Sequence, residues 1–128
     1  VHCAMQGSYF STGQRCTASS RLIVTEGIHE VFVDRLCAAM KDLRIGDARA
    51  SKTQIGPVAS EAQLAINKRY ISQAVADGAT LAAGGNQVKS KTPGHYFAPA
   101  LFTDVSPQAA VARDEIFGPI AAVLRVPD

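Results

Sequence analysis

The chain has 128 residues, 47% of them hydrophobic, with 13 Lys and Arg against 11 Asp and Glu for a formal net charge of +2. That length and apolar share fit one domain with its own core, and the intermixing of acids and bases argues against a dedicated nucleic-acid binder, where Lys and Arg gather on one face or tail. No apolar run approaches the roughly 18 residues of a membrane span and no charged-then-apolar leader occurs, so neither a span nor a secretory signal is expected.

Residues 1–15 carry Ala4, Met5, Tyr9 and Phe10 among small residues, and a helix leading into a turn at Gly13 is expected. Leu22-Ile23-Val24, ended by Glu26-Gly27, reads as a buried central strand of a parallel or mixed sheet. From about Ile28 to Leu43, the residues Phe32, Leu36, Ala39, Met40 and Leu43 recur at steps of three and four, with Glu30, Asp34, Arg35, Lys41 and Asp42 opposite, which predicts an amphipathic helix. Cys37 falls beside that stripe as core filler. Gly46 and the polar run Asp47 to Thr53 predict a surface loop closed by Ile55-Gly56-Pro57. A second helix is predicted over 60–77, with Ser60 as N-cap, Glu61 at the positive end of the dipole, Leu64, Ile71, Ala74 and Val75 on one face and Gly78 at C′.

Ala79 to Ala83 is a short strand before the Gly84-Gly85-Asn86 turn, and Gln87 to Gly94 a polar, mobile connection. Tyr96 to Thr103 is strand-like, with Pro99 fit only for an edge or a strand entry. Ser106-Pro107 predicts the start of a short helix over Gln108 to Arg113, and Ile120 to Leu124 a buried strand. Short strands alternating with helices place the chain in the α/β class, with no internal repeat and no second domain.

The stretch Phe10 to Arg21 organises the chemistry. It sets Cys16 after Gly13, between Arg15 and Arg21, among Thr17, Ser19 and Ser20. A thiol nucleophile reacts as the thiolate, so it needs an electropositive, partly open setting and backbone amides that can face a developing charge. Gly13 permits a sharp turn, and the hydroxyl residues leave little bulk in the way. Taken alone, a single cysteine is more often a small buried apolar residue than a catalyst. Cys3, Cys16 and Cys37 are odd in number and lie in no paired spacing, which fits a reducing, cytoplasmic setting better than a disulfide framework. Neither C-x-x-C nor H-x(3-5)-H occurs, so no metal site is expected.

Gly13-Gln14-Arg15-Cys16 followed by Ser20-Arg21 resembles the nucleophile segment of the aldehyde dehydrogenase superfamily, and Asp114-Glu115-Ile116-Phe117-Gly118-Pro119 resembles that family's downstream E-I-F-G-P segment. Ile55-Gly56-Pro57, Gly84-Gly85 and the run Gly94 to Pro99 follow the family's pattern too, so the resemblance covers nearly the whole chain. The sequence around Cys16 is most similar to enzymes acting on 2-oxoglutarate semialdehyde. The resemblance implies that residues 1–128 are part of a layered α/β catalytic domain.

It further implies that Cys16 attacks an aldehyde to give a thiohemiacetal and then a thioester, with NAD or NADP taking the hydride and the Cys16 amide helping to hold the oxyanion. Glu115 would hydrogen-bond the nicotinamide ribose, Phe117 would pack near the nicotinamide ring, and Gln63 would lie near the adenine-side ribose. Ile66 stands where the family commonly carries a lysine, which weakens that last contact. Glu115 and Phe117 are two apart, so on an extended segment they would face the same way; outside the motif, a turn carboxylate and a core ring would be the ordinary readings. Gln14 and Arg21 are expected to hold the loop, Arg21 by bonding backbone carbonyls, and Arg113 and Asp114 to be surface charges.

The family's asparagine oxyanion donor and glutamate base would precede Val1, and no G-x-G-x-x-G occurs, so the nucleotide-binding unit is expected outside this chain. The expectation is a piece of a longer, homo-oligomeric enzyme acting on a small aldehyde, with little turnover of its own. Two other readings stay open. A cysteine-dependent hydrolase or transferase would need His2, His29 or His95 beside Cys16, and a non-catalytic assembly module would carry an inert cysteine.

Overall fold

A computed structural model describes the chain from Val1 to Asp128. Helix α1 (His2–Tyr9) runs into a 3-10 turn (Phe10–Gly13) and is followed by β1 (Arg21–Thr25), α2 (Glu26–Lys41), α3 (Glu61–Ala76), β2 (Thr80–Ala83), β3 (Ala100–Thr103), α4 (Ala110–Arg113) and β4 (Ile120–Val126). The strands form one sheet in the order β1-β4-β3-β2. β4 pairs in parallel with β1 and β3, whereas β2 is antiparallel to β3. The α/β class read from the sequence is the class observed.

Alternation along β3 and β4 divides the core. Leu101, Ala121 and Val123 point to a layer shared with Met5, Tyr9, Leu36, Met40 and Ile55 from α1, α2 and the following loop. Ala100, Phe102, Ile120 and Ala122 point the other way, onto Ala74, Val111 and Ala112 from α3 and α4. Period-two patterning on strands covered on both faces therefore yields continuous apolar runs. Tyr9, fully buried, ties the layers together by donating its hydroxyl to the Ala100 carbonyl at 3.2 Å.

Several expectations are corrected. Leu22-Ile23-Val24 is a strand but neither central nor buried: β1 lies at the sheet edge, Val24 alone is buried, and Ile23 is 70% exposed. The strand over Tyr96 to Thr103 shortens to Ala100–Thr103, with Pro99 immediately before it, where its missing N–H breaks no ladder bond. α3 begins and ends as predicted: Ser60 Oγ accepts from the Gln63 amide at 3.1 Å, and Gly78 follows the end with φ +90°. Its inner face differs, since Val75 is 52% exposed and Asn67 is fully buried. Ser106 accepts from the Gln108 amide at 3.2 Å, which closes a turn, so α4 starts only at Ala110.

Candidate active site

Parallel pairing of β1 with β4 runs Arg21 against Ala122, and the Ala122 amide bonds the Ser20 carbonyl at 2.9 Å. The segment carrying Cys16 leads into β1 and the segment carrying Glu115 and Phe117 leads into β4. Strand register therefore lays two stretches far apart in sequence side by side at one end of the sheet.

Their contact is backbone on backbone. Gly13 has φ +64°, and a Cβ there would collide with the Gly118 carbonyl and lie 2.9 Å from the Pro119 nitrogen. Ser11 and Thr12, both at φ +57°, precede it in the left-handed region. For a β-branched threonine that conformation is strained and must be held by its surroundings. The loop after α2 does so: Thr12 Oγ1 donates to the Gly56 carbonyl at 3.2 Å, and Gln14 Oε1 accepts from the Ala59 amide at 3.0 Å. Arg15 Nη2 donates to the carbonyls of Gln6 at 2.9 Å and Gly7 at 3.3 Å, and Arg21 Nη1 to that of Ala112 at 3.4 Å.

Between the two stretches lies a hollow of about 180 Å³ whose lining includes Ser8, Arg15, Cys16, Arg21, Glu115 and Phe117. Cys16 is an exposed free thiol. Cys37 is half-buried against α2's core face, where burial pushes its thiol up. Glu115 is exposed and takes part in none of the ion pairs. Phe117 is 40% exposed and sits at φ +58°, so the segment is turned at that residue, not extended as expected, and Glu115, the buried Ile116 and Phe117 all line the hollow. Asp114, on the rim, accepts from the Tyr70 hydroxyl at 2.9 Å; burial first, then that bond, pushes the Tyr70 phenol up.

A family model described as the aldehyde dehydrogenase family matches residues 1–128. The chain belongs to the aldehyde dehydrogenase family. It is 41% identical over 127 residues to a betaine aldehyde dehydrogenase of Brucella anthropi, covering 98% of this chain and 26% of that protein. It is 40% identical over 122 residues to an alpha-ketoglutaric semialdehyde dehydrogenase of Bacillus subtilis, covering 94% and 25%. Among solved structures, an NAD+ complex of an aldehyde dehydrogenase from Bacillus cereus superposes with TM-score 0.93 at 34% identity, over 99% of this chain and 26% of that one. A betaine aldehyde dehydrogenase of Staphylococcus aureus in complex with NAD+ superposes with TM-score 0.95 at 30% identity, over 99% and 26%. The chain thus spans about a quarter of the length of the relatives it matches.

Within this aldehyde dehydrogenase segment, Cys16, Glu115 and Phe117 come together and Gln63 does not line their hollow. Gln63 Nε2 instead donates to Asn67 Oδ1 and to the Ile116 carbonyl, both at 3.0 Å. Asn67 packs against Gly118 so closely that a Cβ there would meet its side-chain amide. Together they hold the back of the segment that presents Glu115 and Phe117. Apolar-face reasoning passes over this clamp, but two amides at i and i+4 on one helix are a signal for it. Ser8, whose hydroxyl donates to the Ser19 carbonyl at 2.6 Å, also lines the hollow without having been singled out. None of the three histidines lines it, and His29 is buried beside Arg125 at 2.8 Å, so a Cys–His pair has no support.

Proposed function

We propose that this chain is the nucleophile-bearing part of an NAD(P)-dependent aldehyde dehydrogenase. The observation that carries the reading is the convergence of an exposed Cys16, a carboxylate outside every ion pair and an exposed aromatic ring on one hollow. The Cys16 thiolate adds to the carbonyl carbon of an aldehyde, and the Cys16 amide faces the oxygen that gains charge. NAD or NADP, when bound, supplies the hydride acceptor for that carbon. The thioester left on Cys16 Sγ is opened by water, which releases the carboxylate and returns the thiol. A carboxylate accepts from two vicinal hydroxyls and an aromatic face restrains a flat ring, so Glu115 and Phe117 fit a nicotinamide riboside. Gln63, turned to Asn67 and Ile116, serves this reading by bracing the segment.

The finer substrate assignment is 2-oxoglutarate semialdehyde or a related small semialdehyde, supported by the residues around Cys16. Relatives named for betaine aldehyde match at similar identity. The test is NAD(P) reduction by the full-length enzyme that carries this segment. Cys16→Ser is expected to lower turnover by at least about a thousand-fold, and Glu115→Gln to raise the KM for the dinucleotide. Undiminished turnover in Cys16→Ser would overturn the assignment.

A further inference from the structure

Resting on the reading of Glu115 and Phe117 as the contacts to a nicotinamide riboside, we infer that Asn67 is a positioning residue for dinucleotide binding, whose side-chain oxygen orients Gln63 on the backbone between those two contacts at a cost in folding stability. Asn67 does not line the hollow. It acts through the segment's backbone. The residues that alternate with Glu115 and Phe117 are each held from one face of α3, at positions i, i+4 and i+7. Gln63 Nε2 donates to the Ile116 carbonyl at 3.0 Å, Asn67 abuts Gly118, and the Tyr70 hydroxyl donates to Asp114 at 2.9 Å. Gly118 is also the residue that Gly13 meets from the nucleophile turn, so a shift at Asn67 reaches both stretches that form the hollow.

One acceptor sets both amide orientations. A backbone carbonyl only accepts, so Gln63 turns its nitrogen to Ile116, and the second hydrogen on that nitrogen places Asn67 Oδ1 toward it at 3.0 Å. Asn67 Nδ2 is then shielded from solvent with no acceptor in the protein, on a fully buried residue. A buried donor without a partner destabilises a fold, and leucine, with the same heavy-atom branching, carries no such group. Breaks of this kind in an otherwise consistent core gather at functional sites. What the asparagine supplies and leucine lacks is the oxygen that keeps Gln63, itself only half-buried, against the Ile116 carbonyl.

The test is made in the full-length enzyme that carries this segment. Calorimetric titration gives the Kd for NAD+ or NADP+, whichever the wild type binds more tightly, alongside the melting temperature without dinucleotide and the rate at which a neutral thiol reagent modifies Cys16. Asn67→Leu is expected to raise the Kd at least about five-fold, with the melting temperature unchanged or raised and Cys16 labelled at the wild-type rate. Asn67→Asp, which keeps an oxygen toward Gln63 but buries a charge, should lower the melting temperature and keep most of the affinity. A merely structural asparagine does not move stability and affinity in opposite directions in the two variants. A Kd for Asn67→Leu within about two-fold of wild type, while Glu115→Gln weakens binding, overturns the inference and leaves the reading of Glu115 standing. Equal weakening in Asn67→Asp and Asn67→Leu overturns the role given to the side-chain oxygen. Unchanged binding in Glu115→Gln overturns that reading and this inference together. If Asn67→Leu does not fold, Asn67→Ala, which also lacks the oxygen, decides by the same comparison of Kd.

Discussion

Gly13 and Gly118 meet backbone to backbone, and this contact between single residues, with no side chain on either, is what brings the cysteine and the Glu115-Phe117 pair to one hollow. A Cβ on Gly13 would strike the Gly118 carbonyl, and φ +64° already disfavours any L side chain there. Gly13→Ala is therefore expected to destabilise the chain by at least about 2 kcal/mol and to separate the two segments. Urea unfolding measures the first effect, and slower or altered Cys16 labelling in the folded fraction the second; a loss below about 0.5 kcal/mol would show that the contact does not hold the site. Cys16 and the downstream motif were legible in the sequence because each is a local pattern. The Gln63–Asn67–Gly118 clamp was not, since a fully buried asparagine interrupts the apolar face from which burial is inferred, and its partners come from the other end of the chain.

At the scale of elements, the ends of α3 are legible in the sequence, whereas the start of α4 and the surroundings of the strands are not. Ser60 and Gly78 mark the limits of α3 through hydrogen bonding and backbone conformation within a few residues, so sequence alone carries that information. Whether an apolar run such as Leu22-Ile23-Val24 is flanked on both sides depends on which strands lie next to it, and periodicity is silent on that. Here β4 covers one side of β1 and nothing in this chain covers the other. Exposed Ile23 lies on that edge strand, and exposed Ile28 and Val31 lie on α2 that follows it. An open edge carrying apolar side chains is a template for pairing with another strand, and a charge placed there blocks it. The isolated chain is expected to self-associate with rising concentration, and Ile23→Lys to shift it toward monomer at little cost in folding stability. Sedimentation velocity over a concentration series checks this; a wild-type chain that stays monomeric throughout would refute it.

For the whole molecule, size decides what the chain can hold. A hollow of about 180 Å³ is below the roughly 300–1,000 Å³ of small-molecule sites. It presents one carboxylate outside every ion pair and one exposed aromatic ring, too little surface for a whole dinucleotide. The pyrophosphate is ordinarily cradled by a glycine-rich turn at a helix N-terminus, and no G-x-G-x-x-G is present. The carboxylates lining the hollow are Asp114, bonded to the Tyr70 hydroxyl, and Glu115, which the reading proposed above assigns to the nicotinamide ribose, so that reading leaves no base there for the water that opens a thioester. Related structures that hold NAD+ are about four times as long, since this chain covers 26% of each. Binding of NAD+ by residues 1–128 alone is accordingly expected to be weaker than about 1 mM, which corresponds to less than about 4 kcal/mol, with no detectable aldehyde-dependent NADH formation. Calorimetric titration measures the first and absorbance of the reduced nicotinamide the second. Micromolar binding would mean that Glu115, Phe117 and the arginines recognise far more of the dinucleotide than one ribose and one ring.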